Sequence, residues 1–201
     1  MHEANGISRR HVLLAPLLVP LANTVSAADP SGRLATPGKI LVAYFSRTGN
    51  TRVVAGQIQR ALGADLFEIL PATSYPEDYA QTVEQARRER DNNVRPALKS
   101  GVPRIADYQT IYLGFPIWGE TAPPVIRSFL ASHDLAEKTL IPFITHGGYG
   151  VGSSMDVLSA HAPRARLTDA AFVMQGEQEK QTLERVSGWL GKIGAGKARA
   201  G

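Results

Sequence analysis

The sequence contains no cysteine among its 201 residues. That absence excludes disulfide bonds, thiolate catalysis, cysteine-ligated zinc, iron–sulfur clusters and a lipid anchor on cysteine. It also means that the thiol content gives no indication of the redox compartment. With 43% hydrophobic and 20% charged residues, the composition is typical of one globular domain that has a substantial core.

The sequence also lacks an apolar run long enough to cross a membrane. Its most apolar stretch, VLLAPLLVPLANTV, lies near the N-terminus, is interrupted by two prolines and ends in small residues. This pattern is typical of an export signal, so we predict one over residues 1–28, cleaved after Ala27 or Ala28. We accordingly expect no stable membrane anchor.

The basic part of this signal is the pair Arg9-Arg10, preceded by Ser8 and followed by Val12 and Leu13. It is similar to the twin-arginine pattern, although an ordinary secretory signal with two arginines is an alternative. Twin-arginine export carries folded proteins, so this signal favours a protein that acquires a cofactor in the cytoplasm. The predicted location is periplasmic or secreted.

A strong charge of one sign is missing as well. The net charge is +4, and several of the basic residues lie in the signal and in the last ten residues, so the folded part is roughly neutral. The cluster Arg87-Arg88-Glu89-Arg90 has no interleaved aromatic residue and indicates a solvated helix face. We therefore expect no nucleic acid partner.

From residue 38 the chain alternates between apolar runs and segments with helical spacing. Strands are predicted at 40–45, 65–70, 110–115, 139–145 and about 168–174, and helices at 51–62, 78–91, 124–132, 153–161 and 179–191. Such alternation predicts an α/β domain over 38–191 with a parallel sheet covered on both faces, followed by a flexible tail over 192–201.

In open parallel sheets, ligands bind beyond the carboxyl ends of the strands. Three loops at such positions have distinct chemistry: SRTGNT after the first strand, PIWGETAPP after the third and THGGYGVGSS after the fourth. The first has hydroxyls and helix-start amides but no Walker lysine, which suits a single phosphate; a plain helix N-cap is the alternative. The other two have a large aromatic residue and glycines that suit a flat ring.

Together with ATSYPEDY at 72–79, these motifs resemble the flavodoxins, specifically a bacterial flavodoxin-like branch, over roughly residues 38–190. The resemblance implies a doubly wound five-stranded parallel sheet of order 2-1-3-4-5 that binds flavin mononucleotide (FMN). The sequence differs from many relatives in having Trp118-Gly119-Glu120 where they have Trp-Trp-Gly. The sequence also lacks the acidic surface of the familiar electron carriers.

The resemblance implies FMN contacts from all three loops. The phosphate contacts are assigned to Ser46, Arg47, Thr48, Gly49, Asn50 and Thr51. The ring contacts are assigned to Pro116, Ile117, Trp118, Gly119 and Glu120 in the second loop, and to Thr145, His146, Gly147, Gly148 and Tyr149 in the third. No metal site is expected.

Several of these residues have an alternative interpretation. Trp118 is a candidate core aromatic and Glu120 a candidate surface carboxylate. His146 is a candidate catalytic proton donor to a reduced quinone or to the flavin, or a loop histidine whose hydrogen bonds are satisfied. Tyr75 and Tyr79 are expected to pack the second helix against the sheet; the alternative is that the ATSYPEDY loop reaches the site.

Three functions are consistent with the sequence. The first is an FMN-dependent oxidoreductase that passes electrons to a quinone-like acceptor. The second is a one-electron carrier that docks to redox proteins, and the third is a non-catalytic flavin-binding module. The electron donor is not evident, because no Gly-x-Gly-x-x-Gly motif follows a strand and free NAD(P)H is not expected outside the cytoplasm.

The export prediction can be tested by changing Arg9 and Arg10 to Lys. If the signal uses the twin-arginine route, the variant accumulates in the cytoplasm, because that route depends on the arginine pair. Cell fractionation measures the distribution. Normal export of the double variant would contradict the prediction.

Overall fold

The computed structural model of the protein describes residues 38–148, 150–169, 172–175 and 182–198. The predicted export signal lies outside the described residues. The strands, whose residues are mostly apolar, are β1 (Lys39–Tyr44), β2 (Asp65–Glu68), β3 (Tyr108–Pro116), β4 (Thr139–His146), β5 (Arg166–Leu167) and β6 (Phe172–Gln175). The helices are α1 (Asn50–Leu62), α2 (Tyr79–Asp91), α3 (Pro124–Ser132), α4 (Ser154–His161) and α5 (Thr182–Ala198).

The strands form one sheet in the order β2-β1-β3-β4-β5, with β6 also paired to β4. Every pairing is parallel. This confirms the predicted order and the α/β class. Because all strands run the same way, the loops that follow β1, β3 and β4 emerge at one edge of the sheet.

Each face of the sheet is covered by helices. Side chains of α2, α3 and α4 pack on one face, where Ile126 and Phe129 are fully buried against β3 and β4. Side chains of α1 and α5 cover the other face, where Val54 and Ile58 are fully buried. Burial of each such side chain contributes about 1.5–3 kcal/mol, so the two faces hold the central strands rigidly under the loops.

The fifth strand predicted at about 168–174 is confirmed in part: β6 covers Phe172–Gln175, and the short strand β5 precedes it. Both pair with β4: β5 lies beside Thr139 and Leu140, and β6 beside Phe143 to His146. The interruption lies opposite Pro142. The amide of Thr168 donates to the carbonyl of Leu140, so the backbone groups of Leu140 face the segment that contains Thr168. Alternate residues of a strand face the same neighbour, so the backbone of Pro142 faces that segment as well. Proline has no amide hydrogen to donate there, and the ladder breaks.

The last helix is longer than predicted. It continues to Ala198, so most of the segment expected to be a tail from residue 192 is helical. Alanine and lysine, which alternate with glycine in this segment, favour helix and offset the cost of the glycines. None of the described helices combines the length and apolar character needed to cross a membrane.

Candidate functional site

The loop after β1 leads directly into α1 through a glycine with a left-handed backbone. Gly49 has φ of +100° and its amide donates to the hydroxyl of Ser46 at 3.1 Å. Gly49 is also the N-cap residue of α1, and no side chain caps the helix there. The first amides of α1 therefore lack a capping oxygen, and with the positive end of the helix dipole they can hold an anion. The plain N-cap alternative is not what the structure shows.

Thr145, near the end of β4, joins the three loops. Its hydroxyl lies 2.8 Å from the hydroxyl of Thr51 at the start of α1, and both side chains are buried. Its carbonyl accepts the amide of Ile117 at 2.9 Å. Its chain neighbour is His146. One residue thus holds the first, second and third loops in register.

Two adjacent cavities open between these loops. The first-loop cavity has a volume of about 280 Å³ and is lined by Ser46, Arg47, Thr48, Asn50, Thr51, Tyr79, Pro116, Ile117, Trp118, Thr145, His146 and Gly147. The α2 cavity has a volume of about 530 Å³ and is lined by Tyr79, Ala80, Val83, Glu84, Ile117, Gly119, Glu120, His146 and Gly147. The two share Tyr79, Ile117, His146 and Gly147, so they form one cleft.

Nearly all of the predicted site residues meet in this cleft. Gly49 shapes the first loop without lining either cavity, and Gly148 lies in the third loop just beyond the lining residues. Tyr149 lies outside the described residues. No group of three or more His, Asp and Glu side chains that could hold a metal ion occurs in the described part of the chain.

Trp118 lies at the floor of the first-loop cavity and is largely part of the core. Its side chain is 3% exposed. The ring contacts Phe45 and Tyr75 in edge-to-face geometry, with centroid distances of 5.2 and 4.8 Å. Such contacts add about 0.5–1.5 kcal/mol beyond burial. The structure therefore supports the core interpretation of this tryptophan, and its ring has little free surface to flank a ligand.

The residues after Trp118 form a tight turn. Trp118 and Thr121 pair through both backbone groups, and Gly119 and Glu120 between them have φ of +55° and +66°. Two successive positive φ angles are typical of a type I′ turn, which glycine adopts freely and glutamate only at a cost. The exposed Glu120 side chain lines the α2 cavity, and the backbone carbonyl of Glu120 accepts the amide of Ser153. This turn forms a rigid wall of the cleft.

His146 organises the third loop. Its Nδ1 atom accepts the amides of Gly148 at 3.0 Å and of Gly150 at 3.3 Å. In the neutral ring the hydrogen therefore resides on Nε2. With Nδ1 engaged by the loop amides, Nε2 is the ring atom that can donate a hydrogen bond to a ligand.

Tyr79 lines the cleft, although it was not among the predicted site residues. The side chain was expected to pack α2 against the sheet, but this prediction is wrong, because it is 58% exposed and lines both cavities. The Arg47 guanidinium lies over its ring at 5.4 Å and donates to the carbonyl of Glu77 at 3.0 Å. The signals in the sequence were its place in the ATSYPEDY stretch and at the second residue of the predicted helix over 78–91.

Tyr75, by contrast, packs as predicted. Its ring contacts Phe45 and Trp118, and its hydroxyl donates to Glu89 at 2.7 Å. Burial, and then the hydrogen bond to Glu89, raise the pKa of the Tyr75 phenol far above its ordinary value. The phenol is therefore a neutral donor that ties the segment before α2 to the helix.

Comparison with known protein families gives nearly the boundaries of the predicted domain, residues 38–191. The model of the family described as flavodoxin matches residues 39–193. The chain belongs to the flavodoxin family. No curated protein matches this flavodoxin in sequence.

Solved structures agree with this assignment. A protein from Bacteroides eggerthii named as a flavoprotein is 34% identical, with a TM-score of 0.67; the match covers 78% of this flavodoxin and 98% of that chain. One from Bacteroides uniformis is 33% identical, with a TM-score of 0.65 and coverage of 76% and 99%. A flavoprotein from Lactobacillus acidophilus, solved in complex with FMN, is 19% identical, with a TM-score of 0.61 and coverage of 73% and 99%, and is similar in fold.

The role of His146 in this flavodoxin can be tested with two substitutions. In His146→Asn the amide oxygen takes the place of Nδ1, so the amides of Gly148 and Gly150 keep an acceptor, whereas His146→Leu removes it. We expect hydrogen exchange of these two amides to be about tenfold faster in the leucine variant, since each bond contributes about 0.5–1.5 kcal/mol. NMR-detected exchange measures this. Equal exchange in both variants would show that His146 does not hold the loop.

Proposed function

We propose that this flavodoxin is an FMN-binding redox protein that passes electrons to quinone-like acceptors. The observation that carries the proposal is the first-loop cavity, where an uncapped helix start and several hydroxyls meet next to a second cavity with apolar walls. The donor chemistry at one end suits a phosphate, and the walls at the other end suit a flat ring.

The first loop fits a phosphate dianion. Among the described residues that line its cavity, Ser46, Thr48 and Asn50 have polar side chains and none is acidic. Arg47 is the cation at the rim. Amides at a helix start, hydroxyls and one guanidinium stabilise a dianion through charge-assisted hydrogen bonds, without a buried ion pair. The hydroxyl of Thr51 is engaged with Thr145, so Thr51 contributes chiefly through its amide and by holding the loop.

The second and third loops fit the ring end of the cofactor. Ile117 and the Gly119-Glu120 turn form one wall, while Thr145, His146 and Gly147 form the other. The exposed backbone of Gly147 and Gly148 allows close approach to polar ring edges. The Nε2–H of His146 is positioned to donate a hydrogen bond within the cleft.

When bound, FMN supplies the electron-transfer chemistry, and the protein orients it and tunes its potential. The residues of this chain contribute binding and orientation, and His146 orders the third loop because its Nδ1 accepts two amides. The buried aromatic cluster of Trp118, Phe45 and Tyr75 supports the second loop and excludes water from beneath the cleft.

An acceptor of quinone type is favoured over a protein partner. The α2 cavity is open to solvent and of small-molecule size, with apolar side chains from Ala80, Val83 and Ile117, so a small planar acceptor can reach the cleft. A carrier that docks to redox proteins gains from a strongly charged surface of one sign. The near-neutral folded part of this chain does not provide one.

We further propose that the protein acts outside the cytoplasm. The support is the segment 1–28, with its arginine pair and short apolar run. Free NAD(P)H is not expected there, so the physiological donor would be a membrane quinol or a protein. Normal export of the Arg9 and Arg10 variant would argue against the twin-arginine route.

The phosphate assignment can be tested with the double variant Ser46→Ala with Thr48→Val. We expect its affinity for FMN to fall about tenfold or more, because hydrogen bonds to a charged group contribute about 1.5–3 kcal/mol each. Riboflavin, which lacks the phosphate, serves as the internal control, and its affinity should not change. Fluorescence titration of both flavins measures the two dissociation constants.

Two results would contradict the assignment. One is an unchanged FMN affinity in the double variant. The other is an equal loss for FMN and riboflavin, which would indicate that the substitutions disturb the fold and not a phosphate contact. A matched control is Ser187→Ala, an exposed serine on α5 that lines neither cavity.

A further inference from the structure

The first turn of α1 is held from two sides by consecutive residues. On the side of β4, the hydroxyl of Thr51 meets that of Thr145 at 2.8 Å. On the side of β2, Nη2 of Arg52 lies 2.6 Å from Oε1 of Glu68, the last residue of that strand. Since β1 and β3 lie between β2 and β4, these two contacts reach the helix start from opposite directions. The amides that begin α1 are thereby fixed relative to the whole sheet.

Tyr44 lies beside the ion pair of Arg52 and Glu68. It is the last residue of β1 and the register partner of Glu68, so both side chains lie on the sheet face that α1 covers. Burial raises the pKa of the Tyr44 phenol most, while Arg52 lowers it and Glu68 raises it. The buried phenol therefore senses both partners. The ends of β1 and β2 and the start of α1 meet at this point, next to the first loop.

Arg52 is engaged at β2 and does not line the first-loop cavity, although its neighbour Thr51 does. A cation in the first turn of a helix opposes the helix dipole, and the first turn of α1 contains no acidic residue. Glu68 therefore supplies, from another strand, the counter-charge that the helix itself lacks. The arginine nearest the helix start is thus placed to hold the helix and not to contact a ligand.

We propose that Arg52 and Glu68 are positioning residues for the FMN phosphate, and that their ion pair beside Tyr44 holds the first amides of α1 where the phosphate accepts them. This inference rests on the proposed FMN function. The loop alone does not fix the helix start, because it turns through the left-handed Gly49, a residue with a wide choice of backbone angles. A shift of α1 would lengthen all of the amide contacts to the phosphate together and so weaken them.

The decisive variant is Glu68→Ala, which removes the ion pair but leaves the charge of Arg52 in place. We expect the affinity for FMN to fall about two- to fivefold, the range that one exposed ion pair can account for. Riboflavin, which has no phosphate, should bind as in the parent protein. Fluorescence titration of both flavins measures the dissociation constants. If Arg52 instead acted by attracting the phosphate, freeing it from Glu68 would leave the FMN affinity unchanged or increase it, and the proposal would be overturned.

Arg52→Met removes the other half of the pair. It should lower the FMN affinity by a similar factor, and the double variant should lose no more than either single variant, because all three lack the same ion pair. Fully additive losses would contradict a joint role. The matched control is Arg60→Met, which removes an exposed cation from the last turn of α1, away from both cavities, and should leave both flavin affinities unchanged.

The unchanged protein is titrated with FMN first, so that the two proposals can fail separately. A protein that binds no FMN contradicts the proposed function, and with it this inference. A protein that binds FMN equally well with and without Glu68 contradicts the positioning role alone. Equal losses for FMN and riboflavin would also overturn that role, because they would indicate a general disturbance of the fold.

Discussion

The hydrogen bonds of Thr145 connect the whole site. Its hydroxyl meets that of Thr51 at the start of α1, and its carbonyl holds Ile117 after β3. The parallel sheet brings these three chain segments to the same edge, but it does not by itself fix their relative heights. Two buried hydroxyls that satisfy each other do so, because separating them would leave both without partners in a dry environment. The first loop and the two loops at the other end of the cleft are therefore positioned by one residue.

A second constraint acts from below the cleft. Trp118, Phe45 and Tyr75 form a buried aromatic cluster, and the hydroxyl of Tyr75 extends it to Glu89 on α2. This cluster fixes the turn at Gly119 and Glu120 on one side of the α2 cavity and the approach to α2 on the other. Trp118, the most conspicuous aromatic residue in the sequence, therefore stabilises the scaffold beneath the cleft. Tyr79 provides the aromatic ring that is exposed in the cleft.

The periodicity of the sequence predicted the strands and helices well where burial is two-sided, as in β1, β3 and β4. It was only partly right at the fifth strand, because the effect of Pro142 depends on which neighbouring strand its backbone faces, and that is a property of the assembled sheet. The three loops could be predicted from hydroxyl and glycine patterns. The burial of Trp118 and the exposure of Tyr79 could not be predicted, because residue type alone does not determine which aromatic side chain faces the core. The tautomer of His146 likewise depends on amides two and four residues further along.

The central claim is that the amides between Thr48 and Thr51 hold the phosphate of FMN. Two-dimensional proton–nitrogen NMR of the cofactor-free protein, titrated with FMN, tests it most directly. We expect the amide resonances of these residues to move markedly as FMN binds, because a dianion accepts their hydrogens. If FMN binds while these resonances stay in place, the phosphate lies elsewhere in the cleft.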